Sequence, residues 1–247
     1  MRPVLLALPL AAIAATAGAA SWDSDRGPGI APRRDGAALV YPVDGFNSVG
    51  LALPAHVDVR VGPFFSVRAT GPAQAFADVR VTRNGDSLQI EQRYSDRARY
   101  ERALRAVRFV VTMPRIRSAN IGGSGGINVD RVTGGRFDGA IGGSGSLTLG
   151  NVAVEQLSGS IGGSGSIIAS GDARELKVNL GGSGRFAGER LRARAADISI
   201  AGSGGVRAQV DGEARVSIAG SGDADLGPRA RCAVSRVGSG RALCGGR

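Results

Sequence analysis

Seven serines, Ser124, Ser144, Ser164, Ser183, Ser203, Ser221 and Ser239, each stand between two glycines. A serine hydroxyl is a nucleophile only beside a general base. No base recurs at a fixed offset from these seven, and His56 is the sole histidine, so neither a repeated acid–base pair nor a histidine-rich metal site can be assembled. Asp138, Asp172, Glu175, Asp197, Asp211 and Glu213 occupy scattered offsets and sit among Arg and Lys. A polysaccharide-processing enzyme, lyase or hydrolase, would gather its acids on one face. Ala219 to Asp225 has the look of a calcium-binding glycine–aspartate repeat but occurs once, and Ile141 to Ser146 lacks the lysine and helix of a phosphate loop. The sequence therefore offers no catalytic, cofactor-binding or metal-binding residues, and no cofactor.

Spacing explains the serines better than chemistry does. The intervals between them are 20, 20, 19, 20, 18 and 18 residues. A fixed period of this size with a Gly-bounded corner in every unit marks a solenoid of stacked coils. The expected fold is all-β, a parallel β-helix or β-solenoid of about seven coils of 18–20 residues. The Gly-Ser-Gly units then form a structural corner ladder. A row of hydroxyls without bulky neighbours is also a surface that could meet a glycan or another sheet.

Columns of side chains set the register, because a strand alternates faces with period two. Three residues before the serines stand Ile121, Ile141, Ile161, Leu180, Ile200 and Ile218. The columns five and seven before, and three and five after, are also apolar or small and are expected inward; the first of these ends at Val234. The intervening positions are polar, so that Lys177, Asp197 and Arg215 should stack side by side. A slip of one residue would turn every apolar column outward.

Cys232 and Cys244 occupy inward columns, seven before and five after Ser239. In an exported chain two cysteines so placed are expected to form a disulfide that closes the last coil. The bridge requires Cα atoms within about 7 Å, so the coil has to narrow there.

Residues 1–19 read as a signal peptide: Arg2, an apolar run from Val4 to Ile13, then Ala17-Gly18-Ala19 before the cut. Residues 20–40 mix proline, glycine and charge and read as a disordered leader. Residues 41–118 alternate like strands without Gly-Ser-Gly, with a turn at Asn84-Gly85, and read as a non-repeating β cap on the N-terminal end of the solenoid, which runs over 119–247. Within the cap, the charged run Arg93 to Arg105 fits a loop or one or two helical turns. No later apolar run is long enough to span a bilayer, so no transmembrane segment is expected and the mature chain belongs in the periplasm, outside the cell or on its surface.

The chain has 31 basic and 21 acidic residues, net +10, and only Lys177 is lysine. Such a charge suits an anionic polysaccharide, lipopolysaccharide or another envelope protein. Nucleic acid is excluded by the export signal, aromatics at 4% and the lack of a binding motif.

Phe46-Asn47-Ser48-Val49, the strands at His56 to Val61 and Phe65 to Ala69, Asn84-Gly85-Asp86-Ser87-Leu88-Gln89-Ile90, Val110-Val111-Thr112-Met113-Pro114 and the Gly-Ser-Gly series together resemble the head GIN domain of putative autotransporter adhesins, over roughly residues 44 to 227. The resemblance implies a bacterial, envelope-associated β-helical protein with an adhesin-like binding or scaffolding role, and supplies no catalytic residues.

Overall fold

A computed structural model describes residues 29–93 and 97–245. The expected signal peptide, residues 1–19, and residues 20–28 of the expected leader lie outside the described residues. The strands in chain order are β1 (Arg33–Asp35), β2 (Ala38–Tyr41), β3 (Ser48–Ala52), β4 (His56–Val61), β5 (Ser66–Thr70), β6 (Val79–Asn84) and β7 (Ser87–Gln92), then helix α1 (Arg97–Arg105). After it come β8 (Arg108–Met113), β9 (Ser118–Ile121), β10 (Gly126–Val129), β11 (Val132–Gly143), β12 (Ser146–Gly163), β13 (Ser166–Gly182), β14 (Arg185–Gly202), β15 (Gly205–Gly220), β16 (Asp223–Asp225), β17 (Arg231–Val237) and β18 (Arg241–Leu243). The fold is a β-solenoid, and the described residues are nearly all-β.

Burial along β12 gives the cross-section. Buried Leu147 and Leu149, then Val152 and Val154, then Leu157, Gly159 and Ile161 alternate with outward residues. The alternation slips at Gly150-Asn151 and at Glu155-Gln156, where two successive residues point away from the core. Those slips are corners, and Gly163-Ser164-Gly165 makes the third. Each coil is thus a triangle with two long faces meeting at the Gly-Ser-Gly corner and a short base opposite it. Asn151 takes a positive φ of 43° at the first slip, a conformation that asparagine tolerates better than most residues.

Successive coils pair in parallel with the aligned columns in register: Ile141 with Ile161, Ile161 with Leu180, Leu180 with Ile200, and Ile200 with Ile218. Lys177, Asp197 and Arg215 do stand side by side, although Lys177 pairs with Glu175 of its own strand at 3.1 Å. The repeats complete about six turns, not seven. Seven corners enclose six intervals, and the segments beyond the first and last corner are partial coils.

The corner carries the ladder through a bend. Ser183 N–H donates to Gly163 O at 2.9 Å and Ser203 N–H to Gly182 O at 3.0 Å, as the same groups do at the neighbouring corners. Coils spaced at ~4.8 Å leave no room there for side chains. Gly182 has φ +125°, and a Cβ on it would lie 2.6 Å from Gly163 O; a Cβ on Gly184 would lie 2.5 Å from Ile161 Cγ2. A Cβ on Gly181, one position earlier, would meet only Ile161 O, at an unstrained 3.9 Å, and Ala201 and Ala219 occupy its column in later coils.

The segment expected as a non-repeating cap contributes two rungs of the solenoid itself. β3 pairs in parallel with β9 and β4 with β10, so this pair of strands forms the rung before the first Gly-Ser-Gly unit. β7 pairs with the other side of β3, and β8 with the other side of β4, adding an outer rung. The chain lays down the inner rung first, the outer rung second, and then returns past both to start the repeats. Antiparallel β5 on β8, β6 on β7 and β2 on β5 close this end.

The leader ends earlier than residue 40. Arg33–Asp35 and Ala38–Tyr41 form an antiparallel hairpin, and Tyr41 is buried with its ring 6.2 Å from that of Phe109. The proline and charge that suggested disorder here flank a strand whose apolar residues are used. The charged run resolves as helix α1, whose Leu104 is buried. Arg80 and Glu91, opposite each other on β6 and β7, form a buried ion pair at 2.7 Å.

Two predictions arise here. Gly182→Ala should cost at least about 2 kcal/mol in urea unfolding, through backbone strain and the lost approach of coils, while Gly181→Ala should stay within about 0.5 kcal/mol. Burial raises the Tyr41 hydroxyl from 10.0 to about 12, against a smaller lowering by Arg93. The folded state therefore holds the proton more tightly, and this contribution is present below pH 10 and lost as pH rises towards 12. Tyr41→Phe should show a shallower loss of stability than wild type across that window.

Candidate binding surfaces

The corner serines all point to solvent, each between two glycines; two residues before them stand glycine or alanine up to the last coil, and two residues after them stand, among others, Ser146, Ser166, Arg185 and Asp223. Ser221 and Ser239 share a hydroxyl hydrogen bond at 3.1 Å. None of the seven has a base for a partner among the described residues. His56 lies exposed at the start of β4, paired across the ladder with Gly126 and Arg108, and makes no described side-chain hydrogen bond. As the structure stands, the ridge can offer hydroxyls and flatness to a ligand but has no activated nucleophile.

The carboxylates are tied mainly to arginines. Arg136 grips Asp138 at 2.8 Å, and this hydrogen bond raises the guanidinium's pKa further above its ordinary value. Arg229 meets Asp211 at 2.6 Å, Arg174 meets Glu155 at 3.5 Å, Arg207 meets Glu189 at 3.6 Å, and Arg241 meets Asp223 at 3.6 Å. Exposed pairs of this kind are screened by water and add little to stability. Among the described residues no three His, Cys, Asp or Glu side chains converge as metal ligands.

The base of the triangle holds some of these pairs and also arginines outside them. On β14 the residues Arg190, Arg192 and Arg194 alternate outward around the buried Leu191 and Ala193. None of the three forms an ion pair among the described residues. With Arg174 on the preceding coil, Arg192 and Arg194 line a shallow concavity that also touches Glu155, Asp172 and Asp211. This cluster was missed in the sequence, although its period of two is visible there once strand geometry is assumed.

Cys232 and Cys244 form a disulfide with Cα atoms 6.0 Å apart. It spans the base of the last described coil, where no strand follows β18 among the described residues. The inward expectation fails at Val234, which is 48% exposed, whereas Val178, Ile198 and Val216 in the same column are at most 2% exposed. The open edge of β17 is the reason: among the described residues no further rung covers it.

The family described as Putative auto-transporter adhesin, head GIN domain matches residues 45–227. Among solved structures, a putative adhesin from Bacteroides fragilis superposes with TM-score 0.76 at 19% identity, covering 87% of this chain and 100% of that one. A putative lipid binding protein from Parabacteroides distasonis gives TM-score 0.65 at 18% identity, covering 87% and 96%. A putative adhesin from Parabacteroides merdae gives 0.58 at 12% identity, covering 84% and 95%. At these identities the likeness is one of fold. No curated protein matches the chain.

Removing the bridge through Cys232→Ser and Cys244→Ser should lower stability by about 3 kcal/mol, the chain-entropy value for a loop this short. Hydrogen exchange should locate the loss in residues 231–245. Free thiols found on the unfolded, unreduced chain by alkylation and mass spectrometry would contradict the bridge.

Proposed function

The chain belongs to the family of putative auto-transporter adhesins with a head GIN domain, and from that membership we propose that it is an exported, non-catalytic β-solenoid that binds anionic envelope material, polysaccharide or lipid headgroups, through the arginine-bearing base of its coils. The observation carrying this reading is the set Arg190, Arg192 and Arg194, none of them in an ion pair among the described residues, with Arg192 and Arg194 beside Arg174 in the concavity. Strand geometry places successive outward residues about 7 Å apart, a spacing suited to repeated anionic groups. The description of the Parabacteroides distasonis neighbour as a lipid binding protein supports the headgroup class. The serine ridge, being neutral, is assigned a structural role, and in this reading the mature chain works in the periplasm, outside the cell or at its surface.

Retention of the mature protein on heparin, or on vesicles containing anionic phospholipid, should disappear as salt rises past about 0.5 M, where the Debye length is only several Å. The triple variant Arg190→Ser, Arg192→Ser, Arg194→Ser should lose roughly 100-fold in vesicle affinity at low salt, from about 1 kcal/mol per arginine at an anionic surface. Salt-insensitive binding to a neutral glycan would overturn this reading and point to the serine ridge.

A further inference from the structure

The two ends of the solenoid are finished in different ways. At one end antiparallel β5 and β6 cover the last rung. At the other, β17 pairs only with β15 and β18 only with β16, so one side of each strand has no partner among the described residues. An open strand edge is a template for pairing with another chain, and proteins normally shorten or cover it. Here it is seven residues long in β17 and is stapled by Cys232–Cys244 rather than covered. Val234 at 48%, Leu243 at 61% and Val237 at 76% exposure leave apolar surface on it.

Charge selects the occupant. Residues 228–247 contain Arg229, Arg231, Arg236, Arg241 and Arg247 and no acidic residue. Arg236 stands in the column that Ile141, Ile161, Leu180, Ile200 and Ile218 fill in the earlier coils, and it is exposed. Its guanidinium donates to Gly240 O at 2.9 Å and has no carboxylate partner among the described residues. A second copy docked end to end would set arginine against arginine. An apolar strand would bury Arg236 without a counter-charge.

We propose that the open edge formed by β17 and β18 is a docking site for an extended, acidic segment of another protein, added as one more rung of the solenoid. The incoming backbone pairs with the free side of β17, its apolar residues cover Val234, and its carboxylates meet Arg236 and Arg231. The disulfide holds the edge in its bound geometry beforehand, which lowers the ordering cost of association. This mode draws affinity from main-chain hydrogen bonds and specificity from alternate side chains. The surface is separate from the base arginines and does not depend on their role.

The test uses the full mature chain and a fluorescent peptide containing Glu-Thr-Thr-Val-Thr-Glu, which in parallel register sets its glutamates opposite Arg231 and Arg236 and its valine opposite Val234, with two controls: the same peptide N-methylated at alternate residues, and a version with lysine for glutamate. Anisotropy should show binding of the first and at least 10-fold weaker binding of both controls. Arg231→Gln should weaken the first peptide about 5-fold and Arg236→Gln at least as much, whereas the Arg190, Arg192, Arg194 triple variant should change it less than 2-fold. Amides of residues 231–237 should gain hydrogen-exchange protection on binding. Equal affinity for the N-methylated peptide, protection appearing at residues 190–194 instead, or sedimentation of the chain alone as an end-to-end dimer would each overturn the proposal.

Discussion

Main-chain contact between successive Gly-Ser-Gly corners is the constraint on which the rest of this molecule depends. A ladder that runs through a bend keeps its coils at strand spacing only if nothing projects between them. The first glycine supplies the positive φ of the bend, and the second faces the isoleucine or leucine methyl group of the coil below. Once the corners are stacked, every residue at a fixed distance from a serine falls into a column, and the interior follows from which columns are apolar. The serine between them has no such duty for its side chain. Its N–H extends the ladder while its hydroxyl remains in solvent.

Inside the columns volume is balanced between neighbours and not within each rung. Phe186 is fully buried on the first face of its coil, and Gly159 on the third face of an earlier coil leaves the space it fills: a Cβ on Gly159 would be 3.2 Å from the Phe186 ring. Gly139 makes similar room for Leu147, whose Cδ2 would lie 2.7 Å from a Cβ there. Large and small residues thus alternate across the triangle, as a close-packed interior requires. The variation in coil length has to be absorbed elsewhere. Register irregularities fall at Leu149/Val152, Ile168/Ser170, Gly188/Arg192 and Ala193/Ala195, all on or beside the short base. The base is therefore the part of each coil least bound by the repeat, and it is where Arg190, Arg192 and Arg194 stand.

How much of this was legible follows from what the period reports. The repeat, its corners, the inward columns and the cysteine bridge could be read because each rests on spacing from a serine. The interleaved N-terminal rungs could not, because β3 to β4 turns through Leu53-Pro54-Ala55 and β7 to β8 through helix α1, with no Gly-Ser-Gly to mark either corner. Sequence order also hides that the inner rung is built before the outer. The β1–β2 hairpin was obscured by local composition, since its first strand is wholly polar and only Ala38 and Tyr41 of its second are buried. Val234 misled for the opposite reason: its column is inward, but being inward buries a side chain only where another rung lies beyond.

That last point joins the architecture to its surfaces. A solenoid is uniform along its length, so its sides repeat and only its ends and its irregular edge can be distinctive. In this chain the repeating ridge is neutral and small, and the irregular base carries arginine. One end spends antiparallel strands and a buried Arg80–Glu91 pair on closing itself. The other places an arginine in an apolar column and ties its last coil by a covalent bond. Such an arginine is compatible with the fold only at a terminal rung, because in any interior coil the same side chain would face packed aliphatic groups and lose its hydration.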